Sequence, residues 1–62
     1  MDPFDVLRVQ QDGSIVWSGS AESLPTALQM IKALTADPSD IFLVHNSRRN
    51  STLTVRAYEL PS

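Results

Sequence analysis

The stretch Ser23–Ala36, Ser-Leu-Pro-Thr-Ala-Leu-Gln-Met-Ile-Lys-Ala-Leu-Thr-Ala, is the only part of this chain with a clear helical period. Leu24, Ala27, Leu28, Ile31 and Leu34 recur at helical spacing and form one apolar stripe. Ser23 is a good N-cap, because its hydroxyl can accept a hydrogen bond from a free N–H of the first turn. Pro25 falls in that first turn, where a missing donor costs nothing. Pro38 is expected to stop the helix and to hold Asp37 extended. One stripe on one helix must be buried against something else, and everything on either side reads as strand. The helix is therefore expected to cover a sheet.

A chain of 62 residues is expected to make one small α+β domain spanning 1–62. A domain this size hides only about 60% of the surface its unfolded chain exposes. Its core usually supplies no more than about 3–5 kcal/mol of net stability. Disulfides, metals or partner chains often supplement such cores. There is no cysteine, which removes both a disulfide framework and a thiolate zinc site. A single histidine argues against a histidine-built metal site. Self-association is the supplement left.

Net charge is −2, so the chain is not a strongly basic nucleic-acid binder. Its longest run of bulky apolar residues, Ile41–Val44, is far too short to span a membrane. Met1-Asp2-Pro3 shows no secretory pattern, and a cytoplasmic location is expected by default. Pro61-Ser62 is expected as a frayed end.

Phe4–Gln10 is rich in strand formers, and Asp12-Gly13 signals a hairpin before Ile15-Val16-Trp17. A two-residue loop would pair Gln10 with Ile15 and Arg8 with Trp17. A three-residue loop, Gln11-Asp12-Gly13, with Gly13 left-handed, pairs Val9 with Ile15 and Leu7 with Trp17. The second register gathers Leu7, Val9, Ile15 and Trp17 on one face, which is expected to meet the helix. Trp17, Leu28, Ile31 and Val55 are then expected among the most buried side chains, with Trp17 central. Ser18-Gly19-Ser20 is expected to break the strand.

After the turn Asp37-Pro38-Ser39-Asp40, the run Ile41-Phe42-Leu43-Val44 suggests a central strand buried on both faces. Asn46–Ser51 is a polar loop, and Thr52–Leu60 alternates as an edge strand does. The expected fold is ββαββ, a four-stranded antiparallel sheet in the order 2-1-3-4 with one helix on one face. A parallel neighbour for the third strand, beside the second, is the alternative order.

One helix covers one face. The other is expected to carry Phe4, Val6, Val16 and Tyr58 with one parity of the third strand, either Phe42 with Val44 or Ile41 with Leu43. Such a patch usually marks an interaction surface. The candidate interface is accordingly Phe4, Val6, Val16, Phe42, Val44 and Tyr58.

No catalytic, cofactor or metal-binding constellation stands out. His45 lies in no triad context and reads as a polar residue where the third strand ends. Asp37 and Asp40 read as turn and capping groups rather than a general acid and base. Gly13 and Gly19 are separate turn glycines, not a phosphate-cradling loop. His45, Arg48, Arg49 and Arg56 form the one basic cluster and are the candidate anion contact. Asn50-Ser51-Thr52 fits a glycosylation sequon, a short and common pattern. The expectation is a non-enzymatic protein-interaction module without cofactor or metal. Its partner is a second copy, as a homodimer, or another protein, with no membrane insertion. The alternative is a small RNA- or anion-binding module using the Arg48-Arg49 loop, which the acidic composition disfavours.

Overall fold

The computed structural model describes residues 2–60, so the expected frayed end at Pro61-Ser62 lies outside the described residues. Four strands and one helix follow in the order β1 (Phe4–Val9), β2 (Ile15–Ala21), α1 (Leu24–Leu34), β3 (Ile41–Asn46) and β4 (Ser51–Arg56), with a 3-10 turn at Ala57–Glu59. The strands form one antiparallel sheet in the order β2-β1-β3-β4, an α+β fold. The extents of 29 × 27 × 15 Å are those of two layers, one sheet and one helix.

Local chemistry sets the element ends. The Ser23 hydroxyl accepts from the Thr26 N–H at 3.4 Å, and Pro25 occupies the first turn. The helix stops at Leu34, earlier than Pro38 requires. Asp40 is the reason: its Oδ2 accepts from the N–H groups of Ala36 at 3.0 Å and Asp37 at 3.1 Å, drawing the chain into a tight connection. In the first hairpin, the Gln10 N–H donates to Ser14 O at 2.8 Å, and Gly13 takes φ +89°. Val9 pairs with Ile15 and Leu7 with Trp17, the register that the three-residue loop requires.

Strand β2 does not break at Ser18-Gly19-Ser20. It bulges, with Val6 opposite Gly19 and Leu7 opposite Trp17, so Ser18 is the extra residue, and the strand runs on to Ala21. The last strand ends at Arg56, and Tyr58 lies in the 3-10 turn rather than on a strand.

The largest departure from expectation is the face the helix covers. The core is Val6, Ala21, Ala27, Ile31, Phe42, Val44 and Val55, with Phe4, Leu24, Leu28, Met30 and Leu60 packed against it. Phe42 and Val44 are therefore the helix-side parity of β3. Leu7, Val9, Ile15 and Trp17 share the opposite face, and Trp17 is 61% exposed. Ile31 and Val55 are buried as expected, Leu28 only partly, and Trp17 not at all. The physical cause is close approach. α1 lies against β1 and β2, and the helix-side positions at the end of β2 are Gly19 and Ala21. A Cβ at Gly19 would stand 2.5 Å from Met30 Cε, so the helix rests where β2 has almost no side chains. A face carrying Trp17 would hold it further off.

Candidate interaction surface

The pairings arrange the sheet face away from the helix in rows. One row across the strands is Ile15, Val9, Ile41 and Arg56; the next is Trp17, Leu7, Leu43 and Thr54; the third carries Asp5, His45 and Thr52. Six apolar side chains thus form a block over β2, β1 and β3, with polar groups along one end and down β4. Ile15 and Trp17 are exposed, while Leu7, Val9, Ile41 and Leu43 are half-buried. The Trp17 indole N–H points to Asp5 Oδ1 at 3.5 Å, so the ring lies across the sheet surface toward the polar row. His45 Nδ1 is 3.0 Å from Thr52 Oγ1. Arg56 pairs with Glu59 at 3.5 Å.

The residues expected to form this surface lie elsewhere. Val6, Phe42 and Val44 are in the core, with 0%, 0% and 2% exposure. Phe4 packs against that core. Val16 is exposed but pairs with Arg8, on the helix side at the β2 edge, and Tyr58 is exposed in the 3-10 turn. An uncovered apolar face exists as expected; on β3 it carries Ile41 with Leu43, one of the two parities left open, while on β1 its members are the opposite parity, Leu7 and Val9. Gly19 and Ala21, just ahead of the helix cap at Ser23, lie on the covered side only because the bulge at Ser18 shifts the alternation within β2, so the plain alternation of the sequence does not mark that side.

The basic cluster is dispersed. His45 and Arg56 belong to the open face, in different rows. Arg48 and Arg49 occupy the β3–β4 hairpin tip, where their backbone N–H groups donate to Asn46 Oδ1 at 3.0 and 3.3 Å. Asn50 closes the tip with a left-handed φ of 51°, a conformation asparagine tolerates.

The carboxylates are structural. Asp37 accepts from the Ser39 N–H and hydroxyl, both at 2.8 Å, and its pKa is lowered by them. Asp40 is held below the usual value first by the Ala36 N–H, then by the Asp37 N–H and Arg8, whose guanidinium lies 3.3 Å away. Asp12 is lowered by the Ser14 hydroxyl and N–H. Asp12 and Asp40 line a shallow cleft of about 380 Å³ with Arg8, Val9, Gln10 and Gln11. A carboxylate stabilised in its charged form is a poor general acid. Among the described residues, no group of three or more His, Cys, Asp or Glu side chains could hold a metal ion. No helix among them is long and apolar enough to cross a membrane.

No protein-family model, curated protein or solved structure matches this chain.

Proposed function

We infer that this chain is a non-enzymatic protein-interaction module that self-associates through its open sheet face, in a cytoplasmic setting. The observation that carries the reading is the block Leu7, Val9, Ile15, Trp17, Ile41 and Leu43, contiguous by strand pairing and covered by no element. Large exposed apolar patches rimmed by polar residues are the usual mark of an interface.

The register suggests how two copies fit. A two-fold axis along the strands, midway between β1 and β3, sets Leu7 over Leu43 of the partner and Val9 over Ile41 of the partner. It brings Asp5 beside His45 of the partner and swings Trp17 toward the partner's β4. Apolar meets apolar at the centre, and opposite charge can meet at the rim when the imidazole is protonated. Two-fold symmetry is the commonest solution for such contacts.

The area sets the strength. Four strands about 4.8 Å apart and about 20 Å long present roughly 400 Å² in projection. A standard interface buries about 800 Å² per partner. The dimer is therefore weak and concentration-dependent. Chemical-shift mapping over a dilution series tests it. The Trp17 indole and the amides of Leu7, Val9 and Leu43 should move with concentration while those of Ala27 and Ile31 stay still. Shifts confined to the helix side, or none, would contradict the reading.

A further inference from the structure

A second surface lies on the helix side, away from the open face. α1 rests mainly on β1 and β2, and Ser51, Thr52 and Leu53 at the near end of β4 are exposed. A groove of about 380 Å³ opens there between the first turn of α1 and β4. Phe4, Leu24, Val44 and Leu53 give it an apolar lining, and Arg49 stands on its wall. Leu53 is 47% exposed, whereas Val55, two residues on, is buried in the core that Leu60 helps to close. The groove thus flanks only the first half of β4.

Two further features belong to the same place. β4 is an edge strand, so alternate residues offer unpaired backbone N–H and C=O groups along that side. No acidic side chain lines the groove. Arg8 and Arg56 are engaged with Asp40 and Glu59, but neither Arg48 nor Arg49 has an ion-pair partner among the described residues.

We propose that the β4 edge is a docking site for an extended peptide segment of another protein, which adds as a fifth strand beside Ser51–Leu53, sets one bulky apolar side chain into the groove and places a carboxylate against Arg49. Strand addition takes its affinity from main-chain hydrogen bonds and its specificity from pockets for alternate side chains. The groove lies near the lower end of the range of about 300–1,000 Å³ for ligand pockets, room for one side chain rather than a folded element. The unpaired arginines set the sign of the partner. A second copy is a poor occupant, since the other free edge of the sheet, β2, reads Ile-Val-Trp-Ser-Gly-Ser-Ala and has no carboxylate to set against Arg49.

The test is selection from a phage-displayed library of short random peptides, followed by titration of synthetic copies of the selected sequences. The expected result is a consensus of one bulky apolar residue with a neighbouring Asp or Glu, and amide shifts at Ser51–Leu53 and Arg49. Arg49→Glu, an exposed substitution, should weaken these peptides by about fivefold, the upper range for an exposed ion pair. Reselection on that variant should replace the acid by Lys or Arg. N-methylation of alternate peptide amides should cost about tenfold through lost main-chain bonds. The Leu7→Thr, Leu43→Thr variant, altered only on the open face, should bind the peptides as the parent does, which separates this site from self-association. A library without binders, a consensus without an acid, indifference to N-methylation, or shifts on the open face would overturn the proposal. So would tighter, Arg49-dependent binding of oligouridine, which would make the tip a nucleic-acid contact.

Discussion

On the helix side of the sheet, Val6, Phe42 and Val44 are closed over. On the other side Leu7, Val9, Ile41 and Leu43, one residue along the same strands, are half-buried with no helix or strand over them. Their apolar content is similar, so hydrophobicity does not explain which face was covered. The difference lies in what the helix meets. Gly19 and Ala21 beneath it, and Ala27 on its own surface, allow close approach. The open face instead carries Trp17, the chain's one tryptophan. Fully burying a Val, Leu, Ile or Phe side chain is worth about 1.5–3 kcal/mol. The open face withholds that term from folding and offers it to a partner, against an association cost of about 4–15 kcal/mol. This balance points to weak association.

The two faces should respond to truncation in opposite ways. Phe42→Ala removes a fully buried ring and should cost about 3–5 kcal/mol, as much as a core this size supplies. Circular dichroism should show an unfolded or barely folded chain; a cooperative melt at the parent temperature would place Phe42 outside the core. Trp17→Ala removes a larger side chain yet should change monomer stability by only about 1 kcal/mol, the upper range for one cross-strand aromatic pair, here with Leu7. Urea unfolding at low concentration checks this, and a loss of several kcal/mol would return Trp17 to the core.

That second expectation reverses what the sequence alone suggests, and the reversal shows where the sequence is legible. The ββαββ order, the Ser23 cap and the Val9–Ile15 register follow from local chemistry: a capping hydroxyl, a left-handed glycine, an alternation of side chains. The strand order rests instead on setting the apolar run Ile41–Val44 inside the sheet, with a parallel neighbour for that strand as the alternative. The choice of face follows from neither, because both parities of β1 and β3 are apolar. A period of two residues identifies two faces without saying which is inside. The rule that large aromatics fill cores then misleads at Trp17. The bulge at Ser18 adds to the difficulty, since it shifts the alternation within β2 and brings Gly19 and Ala21 to the helix side. The groove beside Leu53 was equally hidden, because it arises from where α1 lies across the sheet and not from any run of residues.

A charge at the rim should act more gently. With the imidazole protonated, Asp5→Lys sets like charge toward His45 of the partner in the proposed pairing and should weaken self-association by up to about fivefold at low salt, with the effect fading as salt rises. A dimer indifferent to this change across salt concentrations would exclude that two-fold arrangement while leaving the face itself in play.

The smallest effect concerns acid. Asp37 and Asp40 have folded-state pKa values lowered below the usual 3.8 by hydrogen bonds to their carboxylates. Their stabilising contribution is present above that value and is lost as pH falls through the lower folded-state values. Melts below pH 4 should therefore show a decline that Asp40→Asn flattens. An acid profile unchanged by that substitution would remove Asp40 from the account of how the helix ends.

The central claim, that the face bearing Leu7 and Leu43 is an interface, is tested most directly by sedimentation equilibrium over a wide concentration range. The parent chain is compared with the Leu7→Thr, Leu43→Thr variant, which keeps strand-forming residues at both positions. The parent mass should rise reversibly from one chain toward two, while the variant, equally folded, stays at one. A parent that remains a single folded chain up to about 1 mM, where association would be worth less than about 4 kcal/mol, would contradict it. A variant that dimerises as strongly as the parent would contradict it as well.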